Sequence, residues 1–213
     1  MTLTGQQLLE KHPQAWQAAT VHPFLTQCKT GEISPSQFNT WLVQDYLFVI
    51  DFTKLLARVI AIAPPVHMDV LLGGMIALKD ELLWFQAKAQ ERDLTLDVPK
   101  QATCQEYCAM MARLADTPYA VQSTALWAIE LAYNQGWQNP GTMTPPYDEF
   151  ANRWGNRDFT AYVGLLEQQA NEALAMESED VQHQAEQVFL DIARLETDFW
   201  QMAYSATAGE NCP

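Results

Sequence analysis

An all-α, single-domain helical bundle is the fold the sequence predicts, on three observations. Apolar residues recur at three- and four-residue spacings in nearly every segment. No segment shows the sustained alternation with turn signals that marks strands. No internal linker and no repeat of 20–50 residues divides the chain. Residues 1–204 read as one helical domain and residues 205–213, SATAGENCP, as a disordered tail.

Taken in order, Thr4 to about Lys29 reads as a first helix with Leu8, Leu9, Trp16 and Ala19 on one stripe, kinked or broken at Pro23 and closed by Gly31. Ser34 or Ser36 can then supply the N-cap oxygen of a long helix reaching Ile62, with Pro35 in its first turn. Pro64-Pro65 ends it. Val66–Glu91 forms the next helix, residues 93–99 a connector, and Gln101–Leu114 another helix. Thr117-Pro118 opens a helix to about Trp137, and Asn139-Pro140-Gly141 with Pro145-Pro146 marks a loop. Tyr147–Trp154, Asp158–Met176 and Asp180–Tyr204 complete the set.

Composition excludes several function classes. The 213 residues carry 26 acidic and 12 basic side chains, a formal charge of −14, with no basic run to neutralise phosphates or meet an anionic membrane. No apolar run reaches the roughly 18 residues of a membrane span. The amino terminus lacks a signal-peptide pattern, and four cysteines do not suggest a disulfide framework. These features predict a reduced, cytoplasmic protein. Phosphate-cradling and nucleophile-elbow motifs are absent. The four histidines, His12, His22, His67 and His183, do not pair at ligand spacing, so no metal is expected; His12 or His22 as a haem ligand is a lesser alternative.

What remains is a carboxylate set among aromatic rings on four different helices. Asp45 shares a face with Phe48 and Phe52, Glu81 has Trp84 and Phe85, Glu130 has Trp127 and Tyr133, and Glu196 has Phe199 and Trp200. One reading is a pocket for a flat, nitrogen-rich ligand, with rings to stack on it and carboxylates to accept from its N–H groups. Desolvation there raises carboxylate pKa values toward those that acid–base catalysis needs. The other reading pairs each acid with a basic residue or a neighbouring helix across the core. Asp51, well round the central helix from Asp45, reads as a solvated or capping group.

In order and spacing, HPF (22–24), Gly31, Phe38, QDY (44–46), Tyr147-x-x-Phe150-x-x-x-Trp154 and Glu196-x-x-Phe199-Trp200-x-Met202-Ala203 resemble the TenA/thiaminase-II family, from about Trp16 to Tyr204. The resemblance implies a haem-oxygenase-like fold without haem, a homo-oligomer (dimer or tetramer), no cofactor, and action on the aminopyrimidine half of thiamin and its breakdown products. Carried over, Asp45 orients the pyrimidine ring, Phe48 and Trp154 stand where family tyrosines wall the pocket, Tyr107 matches an active-site tyrosine and Glu196 the catalytic glutamate. The family's nucleophilic cysteine is replaced by Ala125, which excludes covalent attack from that position. Trp127-Ala-Ile-Glu130 is similar to the branch that carries a glutamate instead, associated with thiamin salvage. The expected reactions are deamination of aminomethylpyrimidine or deformylation of its N-formyl derivative. Asp45, Glu130 and Glu196 are the catalytic candidates; Phe48, Glu81, Tyr107, Trp127, Tyr133 and Trp154 line the substrate. Cys104 and Cys108 read as small core residues, or as a displaced nucleophile. A non-catalytic pyrimidine-binding protein is the alternative, and a tetrapyrrole-handling protein a weaker one.

Overall fold

The computed structural model describes residues 2–207, which contain ten α-helices, two short 3₁₀ turns and no strand. The predicted first helix is three: α1 (Gly5–Lys11), α2 (Pro13–Thr20) and α3 (Pro23–Thr30). Two prolines explain this correction. Each sits at the first position of its helix, where the missing N–H costs nothing, and cannot continue the helix before it. His22 caps α3 through its own ring: Nδ1 accepts from Phe24 N at 3.1 Å. Gly31 closes α3 in the left-handed region, at φ 77°.

The remaining helices are α4 (Pro35–Ile62), α5 (Met68–Glu91), α6 (Ala102–Arg113), α7 (Tyr119–Gln138), α8 (Asp148–Trp154), α9 (Arg157–Leu174) and α10 (Glu179–Tyr204). Of the two candidate caps, Ser34 starts α4. Its Oγ accepts from Gln37 N while the Gln37 side chain accepts from Ser34 N, a reciprocal capping box.

These helices pack as two compact units, and neither is one stretch of sequence. The first comprises the chain up to Ile33 with Thr117–Asp198. Its centre is α7, buried at almost every position, against which α2, α8 and α9 pack. The second comprises Ser34–Asp116 with the chain from Phe199 on. There α4 runs between α5 and α6, burying Trp41, Leu42, Phe48, Phe52, Leu55, Leu56 and Val59. Of the expected disordered tail, residues 208–213 lie outside those described. Ser205 N still donates to Gln201 O, and Ala206 is buried. No helix among the described residues is long and apolar enough to cross a membrane.

Candidate active site

In the second unit the sequence makes α4 amphipathic around Asp45. Trp41, Leu42, Phe48 and Val49, at i−4, i−3, i+3 and i+4, are all buried and take the carboxylate inside with them; Asp45 is 0% exposed. Phe48 is the hub of a ring cluster. Its centroid lies 4.7 Å from Tyr107 on α6, 5.8 Å from Phe199 in the last turns of α10, and 5.9 Å from Phe52. Asp45, Phe48 and Tyr107 are thus packed into one core, and Tyr107 meets Phe199 edge-on at 6.5 Å. Glu81 stays half-buried on α5, one turn from Leu78 and one turn from Phe85.

Gln44, next to Asp45, was not among the expected site residues. Its Oε1 accepts from Gln101 N at 2.7 Å, its Nε2 donates to Pro99 O at 3.3 Å, and its main-chain carbonyl accepts from Cys104 Sγ at 3.5 Å. One buried amide therefore fastens the start of α6, the Tyr107 helix, to the residue beside Asp45. Only the QDY triplet hinted at it, because an amide inside a helix leaves no periodic mark.

Asp51 is neither capping nor simply solvated, which corrects the sequence reading. It is ion-paired with Lys54 Nζ at 2.6 Å and with Lys100 Nζ. Burial would push its carboxyl up, but hydrogen bonds from Lys100, Lys54 and Cys108 overcome this and pull it to about 2. Lys100 comes from a connector that carries no sequence pattern.

In the first unit, α7 carries Glu130, 9% exposed, and Tyr133, also buried. Tyr133 meets Trp154 edge-on at 5.8 Å, and Trp154 stacks on Trp137 at 5.6 Å. Asn134 Nδ2 donates to Trp154 O at 2.7 Å and fixes the end of α8 against α7. Trp127, grouped with Tyr133 by sequence, belongs to another column: it stacks on Phe189 at 6.0 Å, and Phe189 stacks on Trp16 at 4.9 Å. A Cβ on residue 5 would come within 2.8 Å of the Trp127 ring, so glycine there allows α1 to close over it. Ala125 is fully buried on the same helix. Glu196, 1% exposed, sits on α10 one turn before Phe199 and Trp200.

Among the described residues, no three His, Cys, Asp or Glu side chains group to hold a metal ion. His12 Nε2 lies 2.6 Å from Glu186, and His22 serves its helix cap. Asp45 in the second unit and Glu130 and Glu196 in the first are carboxylates with almost no water around them, each on a helix that supplies rings.

Residues 9–206 match the model of the TENA/THI-4/PQQC family. The chain belongs to that family. Within TENA/THI-4/PQQC, it is 36% identical over 208 residues to a probable bifunctional TENA-E protein of Glycine max, covering 92% of this chain and 90% of that protein. It is 25% identical over 213 residues to an aminopyrimidine aminohydrolase of Halalkalibacterium halodurans, covering 93% and 94%. A TenA homologue from Pyrococcus furiosus superposes with a TM-score of 0.90 at 27% identity, over 95% of this chain and all of the other. The fold is that of the TenA structures.

Proposed function

We propose that this chain is a thiamin-salvage hydrolase acting on the aminopyrimidine fragment of degraded thiamin. It takes the amine from aminomethylpyrimidine, the formyl group from its N-formyl derivative, or both. The observation that carries the reading is the burial of Asp45, Glu130 and Glu196 in a chain with a methyl group at position 125 and near-full-length likeness to a TENA-E protein. Acids withdrawn from water are strong acceptors for an amidine edge and can hold pKa values suited to proton transfer.

In this reading Asp45 accepts from the ring's amino group and orients it, with Phe48 and Tyr107 of the same unit as ring walls. Tyr133 and Trp154 meet edge-on, and Glu81 and Trp127 contribute less directly. Glu130 and Glu196 divide the proton work. One takes a proton from water as its oxygen bonds to carbon, and the other gives a proton to the departing nitrogen. The C–N bond breaks, a C–O bond forms and one water is consumed. A homo-oligomer in the cytoplasm completes the proposal. Leu72, Ile76 and Leu83 lie exposed along α5, an apolar stripe suited to a second copy, and size-exclusion chromatography with light scattering tests it.

The test of function is an ammonia-release and chromatographic assay on aminomethylpyrimidine, its N-formyl derivative and thiamin in parallel. Turnover of either pyrimidine without thiamin cleavage is expected. Pyrimidine binding without any product would replace the hydrolase with a binding protein.

A further inference from the structure

Helix α8 is seven residues long and has no side-chain cap at its start, so its position depends on what holds its end. The last four carbonyls of a helix lack partners within it, and here each is taken. Gly155 N donates to Ala151 O at 2.7 Å, and Asn156 Nδ2 donates to Asn152 O at 2.9 Å and Arg153 O at 2.8 Å. Those three are served locally. The Trp154 carbonyl is held from another helix: Asn134 Nδ2, on α7, donates to it at 2.7 Å, and one turn on Gln138 Nε2 donates to Gly155 O at 3.1 Å. Thr160 Oγ1 joins the two amides, accepting from Gln138 Nε2 at 2.7 Å and from Asn134 Nδ2 at 3.1 Å. A Cβ on residue 155 would meet Ala151 O at 2.6 Å and Gln138 Cγ at 3.2 Å, so glycine there lets α7 come this close.

The clamp and the rings share one support. Glu130, Asn134 and Gln138, at i, i+4 and i+8, run along one stripe of α7, and Tyr133 and Trp137 along the adjoining one. The rings receive the Trp154 indole, stacked on Trp137 at 5.6 Å and edge-on to Tyr133 at 5.8 Å, while Asn134 holds the same residue's carbonyl. Asn134 and Trp154 are each 2% exposed, and a carbonyl buried there without its donor is costly. We propose, resting on the salvage reading above, that Asn134 is a positioning residue for the pyrimidine. By holding the Trp154 carbonyl it fixes the indole against Tyr133, one turn from Glu130, and so sets how tightly the substrate ring is bound. It touches no reacting atom and moves no proton. Its loss lets the end of α8 shift on α7, which weakens ground state and transition state alike and acts on KM, not kcat.

The full-length chain is compared with Asn134→Ala, Gln138→Ala and Trp154→Leu, and with each amide change combined with Trp154→Leu, in steady-state turnover of aminomethylpyrimidine and its N-formyl derivative. Asn134→Ala should raise KM about five- to tenfold with kcat within about twofold. Gln138→Ala, at the exposed end of the clamp where folding is not at stake, should raise KM about two- to threefold. In the Trp154→Leu background neither should change KM further, a coupling that a general loss of stability does not produce. Unchanged KM in both amide variants, a fall in kcat alone, or an undiminished rise in the Trp154→Leu background would each overturn the proposal. Failure of the salvage reading shows instead in the unaltered chain. If that chain binds aminomethylpyrimidine without turnover, the calorimetric Kd takes the place of KM in the same comparison and is judged by the same outcomes; no binding at all overturns both.

Discussion

Asp45 and Asp51 ride on α4 six residues apart, and nothing in their chemistry distinguishes them. Asp45 is fully buried among its own helix's apolar residues, one turn from Phe48, whose ring packs on Tyr107 and Phe199. Asp51 is gripped by two lysines, at the partly open edge where α4 meets the connector before α6. The first is a carboxylate kept from water, and the second is committed to an ion-pair network. Neighbours, not residue type, assign the two roles.

The largest break in this comparison is expected at the enclosed acids. Asp45→Asn and Glu196→Gln keep shape and remove the charge, and should each lower turnover of the pyrimidine substrate by about 10²–10⁴-fold with the melting temperature little changed. Full turnover in either would remove the proposed mechanism. Next comes Gln44→Ala, which leaves Gln101 N without its acceptor. It should cost about 1–3 kcal/mol in denaturant unfolding and loosen Tyr107, with a rise in KM as its functional mark.

At the gripped acid the effect is smaller and depends on pH. Asp51 is held at about 2 against an ordinary 3.8, so its contribution is complete above 3.8 and disappears as pH falls through 2. Asp51→Asn should therefore lower stability by about 1 kcal/mol at neutral pH, discounted for partial exposure, while its acid melting curve near pH 2 overlays the wild type. A gap that persisted at pH 2 would assign the cost to packing. Lys54→Ala, at the exposed end, should move stability by less than about 0.5 kcal/mol, readable by thermal melting.

Local patterns were readable and distant ones were not. The bounds of α4 follow from Ser34, Pro35 and the apolar period, all signals within a turn or two. The sequence pattern merges α1 and α2 because His12 ends one and begins the other at once, and Pro13 at a first position does not interrupt an apolar stripe. Burial of Asp45, Glu130 and Glu196 was visible from the apolar residues flanking each. Trp127 was placed with Tyr133 because helical spacing gives a face but not which rings cover it; Phe189, 62 positions later, decides that. Lys100 could not be matched to Asp51, since a connector has no period that aims a side chain.

Both reciprocal caps, Thr4 with Gln7 and Ser34 with Gln37, use an amide where a carboxylate is the common choice. An amide has no proton to gain. In acid, while Asp51 and Glu186 surrender their partners, these two helix starts keep their grip. Amide exchange near pH 2 should find the N–H groups of Gln7 and Gln37 still slow after the residues around Lys100 have begun to open, so acid unfolding starts from the ion pairs and reaches these helix beginnings later.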